Sequence, residues 1–120
     1  MTKINPSSSS KDNEFTKAAA HEQYLYLTTR GRKTGRPREI EIWFTFREPF
    51  FYVIAEYATS HWLQNLKAHP AVQLRIAGKS FAGRARVLSA EADAPLVQAA
   101  QEMSRAKYGW GDGLVVELAP

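Results

Sequence analysis

Residues 27–46 read LTTRGRKTGRPREIEIWFTF. The second half of this stretch alternates cleanly. Ile40, Ile42, Phe44 and Phe46 share one side, and Glu39, Glu41, Trp43 and Thr45 share the other. That is the period of an extended strand with one face toward a core. The first part, Leu27 to Arg38, holds five basic residues (Arg30, Arg32, Lys33, Arg36, Arg38), no acidic one, and the turn-formers Gly31, Gly35 and Pro37. A second apolar alternating segment, Tyr24 to Thr29, leads into it. The pattern predicts two strands joined by a tight basic loop. Backbone amides, threonine hydroxyls and cationic side chains in such a loop all suit a phosphate or a carboxylate. Trp43 lies on the polar side of its strand, where it calls for a partner.

Downstream, Phe50 to Ala55 is apolar on both sides and reads as a strand covered on both faces. Thr59 or Ser60 can cap a helix that runs to about Lys67. Trp62, Leu63 and Leu66 form its buried stripe, while His61 and Asn65, four apart, share another face. His69-Pro70 ends it. Val72 to Ile76 and Ser80 to Leu88 alternate on either side of a hairpin turn at Ala77-Gly78-Lys79. A second helix starts between Ala92 and Pro95, with Leu96, Ala99, Ala100 and Met103 as its apolar face. It stops before Gly109. Gly109, Gly111 and Gly113 are expected to loosen the chain around Trp110, before a sixth strand at Leu114, Val116 and Leu118. The order β-β-β-α-β-β-α-β is dominated by hairpins. It predicts a mainly β fold, an antiparallel barrel with flanking helices, rather than a doubly wound parallel sheet.

Upstream, Met1 to Asn13 is Ser- and Lys-rich and reads as a mobile polar tail before one domain over 14–120. Glu14 to Gln23 can form a short helix packed through Phe15, or stay loose. The 120 residues are 44% hydrophobic, which fits one globular domain. Cysteine is absent, which excludes a disulfide framework, thiolate metal sites and thiol catalysis, and fits a reducing cytoplasm. No apolar run approaches the roughly 20 residues of a membrane helix, and the polar N-terminus predicts no signal peptide. A net charge of +4 favours an anionic partner: a nucleotide cofactor, nucleic acid or a membrane surface.

The three histidines have no metal-binding spacing, and neither a nucleophile elbow nor a P-loop is present. Glu39 and Glu41 read as solvated. Any catalysis then falls to a bound cofactor. That requires an anion site, a slot for a ring and a substrate pocket. The basic loop offers the first. Trp43, Ala55 to Ser60 and the Trp62 region offer the second, and Met103, Tyr108 and Trp110 the third.

Residues 27–44, HWLQNLKAHPAVQLRI (61–76) and GKSFAGRARVL (78–88) together resemble the deazaflavin-dependent nitroreductase family. These are small split-barrel flavin/deazaflavin oxidoreductases related in fold to pyridoxamine-phosphate-oxidase-like proteins. The resemblance implies a six-stranded antiparallel split β-barrel (the FMN-binding split barrel). It implies coenzyme F-420 as cofactor, with FMN as the alternative. By position, Arg32, Lys33, Thr34, Gly35 and Arg38 would hold the coenzyme's phosphate and acidic tail. Ile42, Trp43 and Phe44 would flank the ring, with Ala55, Tyr57, Thr59, Ser60 and His61 across from them and Trp62 and Asn65 opening the helix. Tyr108 and Trp110 would line the substrate side. Two departures stand out: the loop before the helix is only EYATSH, and the N-terminal amphipathic segment of some members is absent.

The expected function is therefore a cytoplasmic oxidoreductase. It moves a hydride between bound F-420 (or FMN) and a small electrophilic acceptor such as a quinone, nitro compound or enone, with no side chain assigned as catalytic. The alternative is a non-catalytic binding or storage protein for a flavin or other planar ligand. A small-molecule substrate, no nucleic acid, no membrane and a homodimer complete the expectation, with Trp43 or the third strand as the dimer seam.

Overall fold

The computed structural model describes residues 19–120. The expected polar tail over 1–13, and the first part of the segment 14–23, lie outside the described residues. From Tyr24 onward the described residues form seven strands and two helices, in the order β1 (Tyr24–Arg30), β2 (Pro37–Trp43), β3 (Thr45–Arg47), β4 (Phe50–Ala55), α1 (His61–Ala68), β5 (Ala71–Ile76), β6 (Lys79–Val87), α2 (Ala94–Tyr108) and β7 (Leu114–Ala119). All pairings are antiparallel, and the sheet order is β2-β1-β5-β6-β7-β4-β3. This is the split barrel expected from the sequence, with one difference in strand count. The single strand expected over 38–46 is interrupted at Phe44. Its two pieces, β2 and β3, form opposite edges of the sheet. One stretch of chain thus crosses from one edge to the other and curls the sheet toward closure.

The period of two along the strands explains the two-sided core. Phe51, Val53 and Ala55 of β4 pack inside the curl with Leu25, Leu27, Phe44, Leu63, Leu74, Val116 and Leu118. Tyr52, between them, points outward against Ala100 of α2, with Val115 and Leu88. As expected for a strand apolar on both sides, β4 is therefore covered on both faces by its own chain. That removes it as a dimer seam, because no face of it is left for a second subunit.

The outward layer also carries a polar chain that runs from buried Tyr52 and Glu117 out to the exposed Arg86. The Tyr52 hydroxyl donates to Glu117 Oε2 (3.1 Å), Arg86 donates to Glu117 Oε1 (3.3 Å) and to Asp93 Oδ1 (3.1 Å), and Asp93 Oδ2 accepts the Ser89 amide (2.9 Å). Burial and the hydrogen bond to Glu117 push the Tyr52 phenol up to about 12. This network ties the start of α2 to β6 and β7.

Two local expectations are corrected. Ser60 stands at the N-cap of α1 but makes no side-chain cap bond. And the glycines after α2 tighten the chain rather than loosen it. A Cβ on Gly111 would sit 2.3 Å from the Gln101 carbonyl oxygen, so the backbone there lies directly on the helix. Ser104 Oγ donates to the Trp110 carbonyl (2.6 Å), Gln101 Nε2 to the Gly113 carbonyl (3.1 Å), and Arg105 pairs with Asp112 (2.8 Å).

Candidate cofactor groove and acceptor cavity

The β1–β2 connection is a closed turn. The Gly31 amide donates to the Arg36 carbonyl and the Gly35 amide to the Gly31 carbonyl, both at 2.8 Å. Gly35 has φ of +73°, a conformation side chains rarely adopt. Thr34 Oγ1 accepts the Arg36 amide (3.2 Å). The strands continue the pairing to Arg30↔Pro37, so the loop is held at its base and across its middle.

Helix α1 docks beneath this loop. Asn65, buried in the helix face, accepts two hydrogen bonds at Oδ1. One comes from the Arg32 backbone amide (3.1 Å) and one from Arg32 Nη1 (2.8 Å). Asn65 Nδ2 donates to Thr29 Oγ1 (3.4 Å). The other guanidinium contacts reach His61: Nη1 to its carbonyl (3.5 Å) and Nη2 to Nδ1 (3.2 Å). A guanidinium only donates, so the contact to Nδ1 requires that ring nitrogen to be the acceptor.

Loop, β2 and α1 enclose a groove of about 900 Å³. Arg32, Lys33, Thr34, Arg38, Ser60, His61, Trp62 and Asn65 line it, all of them expected site residues. Thr29, Gly31, Pro37, Glu39 and Ile40 line it too. The side chains of Lys33 and Arg38 have no ion-pair or hydrogen-bond partner among the described residues. Glu39 is the groove's carboxylate, and Arg75 holds it at 3.2 Å through both oxygens. The groove therefore presents cationic side chains together with the apolar side chains of Ile40 and Trp62.

The remaining expected cofactor residues are elsewhere. Gly35 lines a shallow groove on the other side of the loop with Arg30, Gln73 and Gly83. Ala55 is buried in the core, while Tyr57 and Thr59 project into solvent. The short EYATSH turn carries its side chains away from the groove until Ser60.

Trp43 lines a second cavity of about 300 Å³ instead, with Tyr24, Glu41, Ile42, Ile54, Glu56, Ser104 and Trp110. Ile40 faces the first groove and Ile42 the second. Residues two apart on a strand are about 7 Å apart, and β2 contributes neighbouring residues to both spaces.

Tyr108 does not line this cavity; it supports it. Its ring stacks flat on Trp43, with centroids 4.5 Å apart and planes within 5°. Its hydroxyl accepts the Phe44 amide (3.0 Å) and lies within donating distance of the Gln23 (2.7 Å) and Phe44 (2.8 Å) carbonyls. Beside it, Lys107 Nζ donates to the carbonyls of Ala20 (3.1 Å), Glu22 (2.7 Å) and Phe44 (3.0 Å). Burial lowers the Lys107 ammonium below the usual lysine range. Lys107 was missed by sequence reasoning. Its one signal was position, a cation in the last turn of a helix.

A search of curated proteins finds no match. Among solved structures, an F420-H2 dependent reductase (FDR-A) is 22% identical over 82% of this chain and 95% of that chain, with a TM-score of 0.61. A FAD-binding protein from Mesorhizobium loti is 15% identical over 89% and 87%, with a TM-score of 0.70. HutZ, a heme storage protein from Vibrio cholerae, is 18% identical over 91% and 89%, with a TM-score of 0.64. At these identities the likeness is one of fold. A family profile, F420H(2)-dependent quinone reductase, matches residues 7–112, which hold the basic loop, the groove and the second cavity alike. The chain belongs to the F420H(2)-dependent quinone reductase family, oxidoreductases whose cofactor is the deazaflavin coenzyme F-420.

Proposed function

We propose that this oxidoreductase reduces a small, planar, electrophilic acceptor (a quinone, a nitro compound or an enone) with F-420 seated in the loop–α1 groove. The observation that carries the reading is the mixed lining of the groove. Lys33 and Arg38, whose side chains have no partner among the described residues, line it together with the apolar Ile40 and Trp62. The cations fit a phosphate, to which charge-assisted bonds are about twice as strong as neutral ones. The apolar side chains fit a flat ring. The coenzyme, bound in its reduced form F420H(2), would supply the hydride and leave as oxidised F-420. Lys33 and Arg38 anchor its anionic end, and Ile40 and Trp62 flank its ring. Tyr24, Trp43 and Trp110 give the acceptor aromatic surface in the second cavity, beside the carboxylates Glu41 and Glu56. These residues align two reactants and exclude water, which is what a hydride transfer asks of a protein.

Titration of the pure protein with F-420 and FMN, followed by turnover with a panel of acceptors, tests this. Failure to bind either below about millimolar, some 4 kcal/mol of affinity, would refute the cofactor site. Binding without turnover would instead favour storage of a planar ligand, a role carried on the same fold by the heme storage protein. We also infer a homodimer that uses the Tyr24 and Trp43 side of the sheet. The two side chains are paired across β1 and β2 and both remain more than a third exposed. Sedimentation of wild type and Trp43→Glu addresses this. No helix among the described residues is long and apolar enough to cross a membrane.

A further inference from the structure

Asn65 is out of keeping with its surroundings. It lies between Leu63 and Leu66 on the buried side of α1 and is only 5% exposed. A buried amide is retained where its hydrogen bonds are made, and those of Asn65 lead to the basic loop. Oδ1 holds both the Arg32 amide and the Arg32 guanidinium, and Nδ2 holds Thr29, itself 1% exposed. Arg32 in turn is folded back on α1. Its terminal nitrogens face Asn65 Oδ1 and the carbonyl and Nδ1 of His61. Its neighbours Lys33 and Thr34 differ. Their backbone amides have no partner among the described residues, and the Lys33 ammonium has none either.

We propose that Asn65 is a positioning residue that acts through Arg32. By pinning two groups of Arg32 at one oxygen, it sets the pose in which Lys33, the 33–34 amides and Arg38 meet the coenzyme's anion. Arg32 is then a strut between loop and helix, not the grip itself. Its cation sits at the N-terminal end of α1, where the helix dipole would favour an acidic side chain. Helix stability therefore does not account for an arginine there, whereas two-point attachment to Asn65 with a further contact to His61 does. The ligand in this proposal comes from the function proposed above; the strut itself does not depend on it.

The test uses the full-length protein and four variants: Asn65→Leu, Asn65→Asp, Arg32→Met and Lys33→Ala. Asn65→Asp keeps oxygen acceptors for Arg32. Arg32→Met lies on the exposed loop and stays informative should Asn65→Leu fail to fold. With F-420, Asn65→Leu and Arg32→Met are each expected to raise the cofactor KM roughly tenfold, the effect of losing hydrogen bonds to a charged group, with kcat at saturating cofactor unchanged. The double variant should be no weaker than the single ones, because both remove the same strut. Lys33→Ala combined with Asn65→Leu should lose less than the product of the two single losses, because Asn65 acts in part through the pose of Lys33. Asn65→Asp should recover part of the loss. Without any ligand, Asn65→Leu and Arg32→Met should speed hydrogen exchange at the amides of Gly31, Arg32 and Gly35. Unchanged exchange in these variants, or losses that multiply in the Arg32/Asn65 double, would overturn the strut. Altered exchange in a protein that binds no F-420 would uphold the strut and refute the cofactor reading instead.

Discussion

The two ends of β2 are both tied down by a helix, and they use their cations in opposite ways. At the N-terminal end, α1 offers one amide, Asn65, which engages Arg32, while the side chains of Lys33 and Arg38 at the groove have no partner among the described residues. At the C-terminal end, α2 offers Lys107 and Tyr108, and all three ammonium hydrogens of Lys107 meet backbone carbonyls. One end keeps its positive charge available; the other consumes it to hold the break at Phe44. A basic residue is therefore read by its partners, not by its charge. Exposed and unpaired, it is offered to a ligand. Half-buried among carbonyls, it closes the fold.

The comparison can be broken at either end. Lys107→Met should have the largest effect, because it leaves three carbonyls without their donor. A stability loss of about 3 kcal/mol is expected in urea titrations, with part of the hydrogen-bond loss offset by the ammonium's desolvation. F-420 affinity of the folded fraction should hardly change. Lys33→Ala should do the reverse. It should weaken F-420 binding by about 2 kcal/mol in calorimetry and leave stability within about 0.5 kcal/mol, as for most surface changes. Arg38→Ala should resemble it. Were Lys33→Ala to destabilise the fold and spare binding, the division between the two ends would collapse.

Tyr108→Phe sharpens the second end. The ring can still stack on Trp43, but the Phe44 amide loses its acceptor, at a cost of about 1 kcal/mol. If acceptor turnover fell far more than stability, the hydroxyl would have a role beyond the backbone. The smallest effect concerns pH. The Tyr52 phenol rises from near 10 to about 12 on folding, so the folded state holds this proton more tightly. Its contribution is complete below pH 10 and drains away as pH climbs from 10 to 12. The difference in melting temperature between wild type and Tyr52→Phe should therefore shrink across that window.

Much of this architecture was legible in the residues. Alternation in 38–46, 72–76 and 80–88 gave strands with the correct inward face. Gly31, Gly35 and Pro37 gave the loop, and the spacing of His61 and Asn65 put on one face the two residues that meet Arg32. The parts that were not legible depend on contacts distant in sequence. Nothing local marks Phe44 as a break, since no glycine or proline stands there. Tyr108 and Lys107, some 64 residues on, impose and satisfy it. The engagement of Arg32 was hidden likewise, because charge alone does not say which arginine of a basic run is already held. The family resemblance implies Ala55, Tyr57 and Thr59 at the ring, but the short turn leaves Ala55 in the core and Tyr57 and Thr59 in solvent.

The split of one strand into two edges has a further consequence, for self-association. An open sheet exposes two rows of unpaired backbone groups that could recruit another chain. Here β2 begins with Pro37, which has no amide to offer, and continues through Arg38, Glu39 and Glu41, while β3 is only three residues long and ends at Arg47. Both rims are poor templates for strand addition, so the fold can stay open enough to seat a coenzyme without inviting edge-to-edge polymerisation.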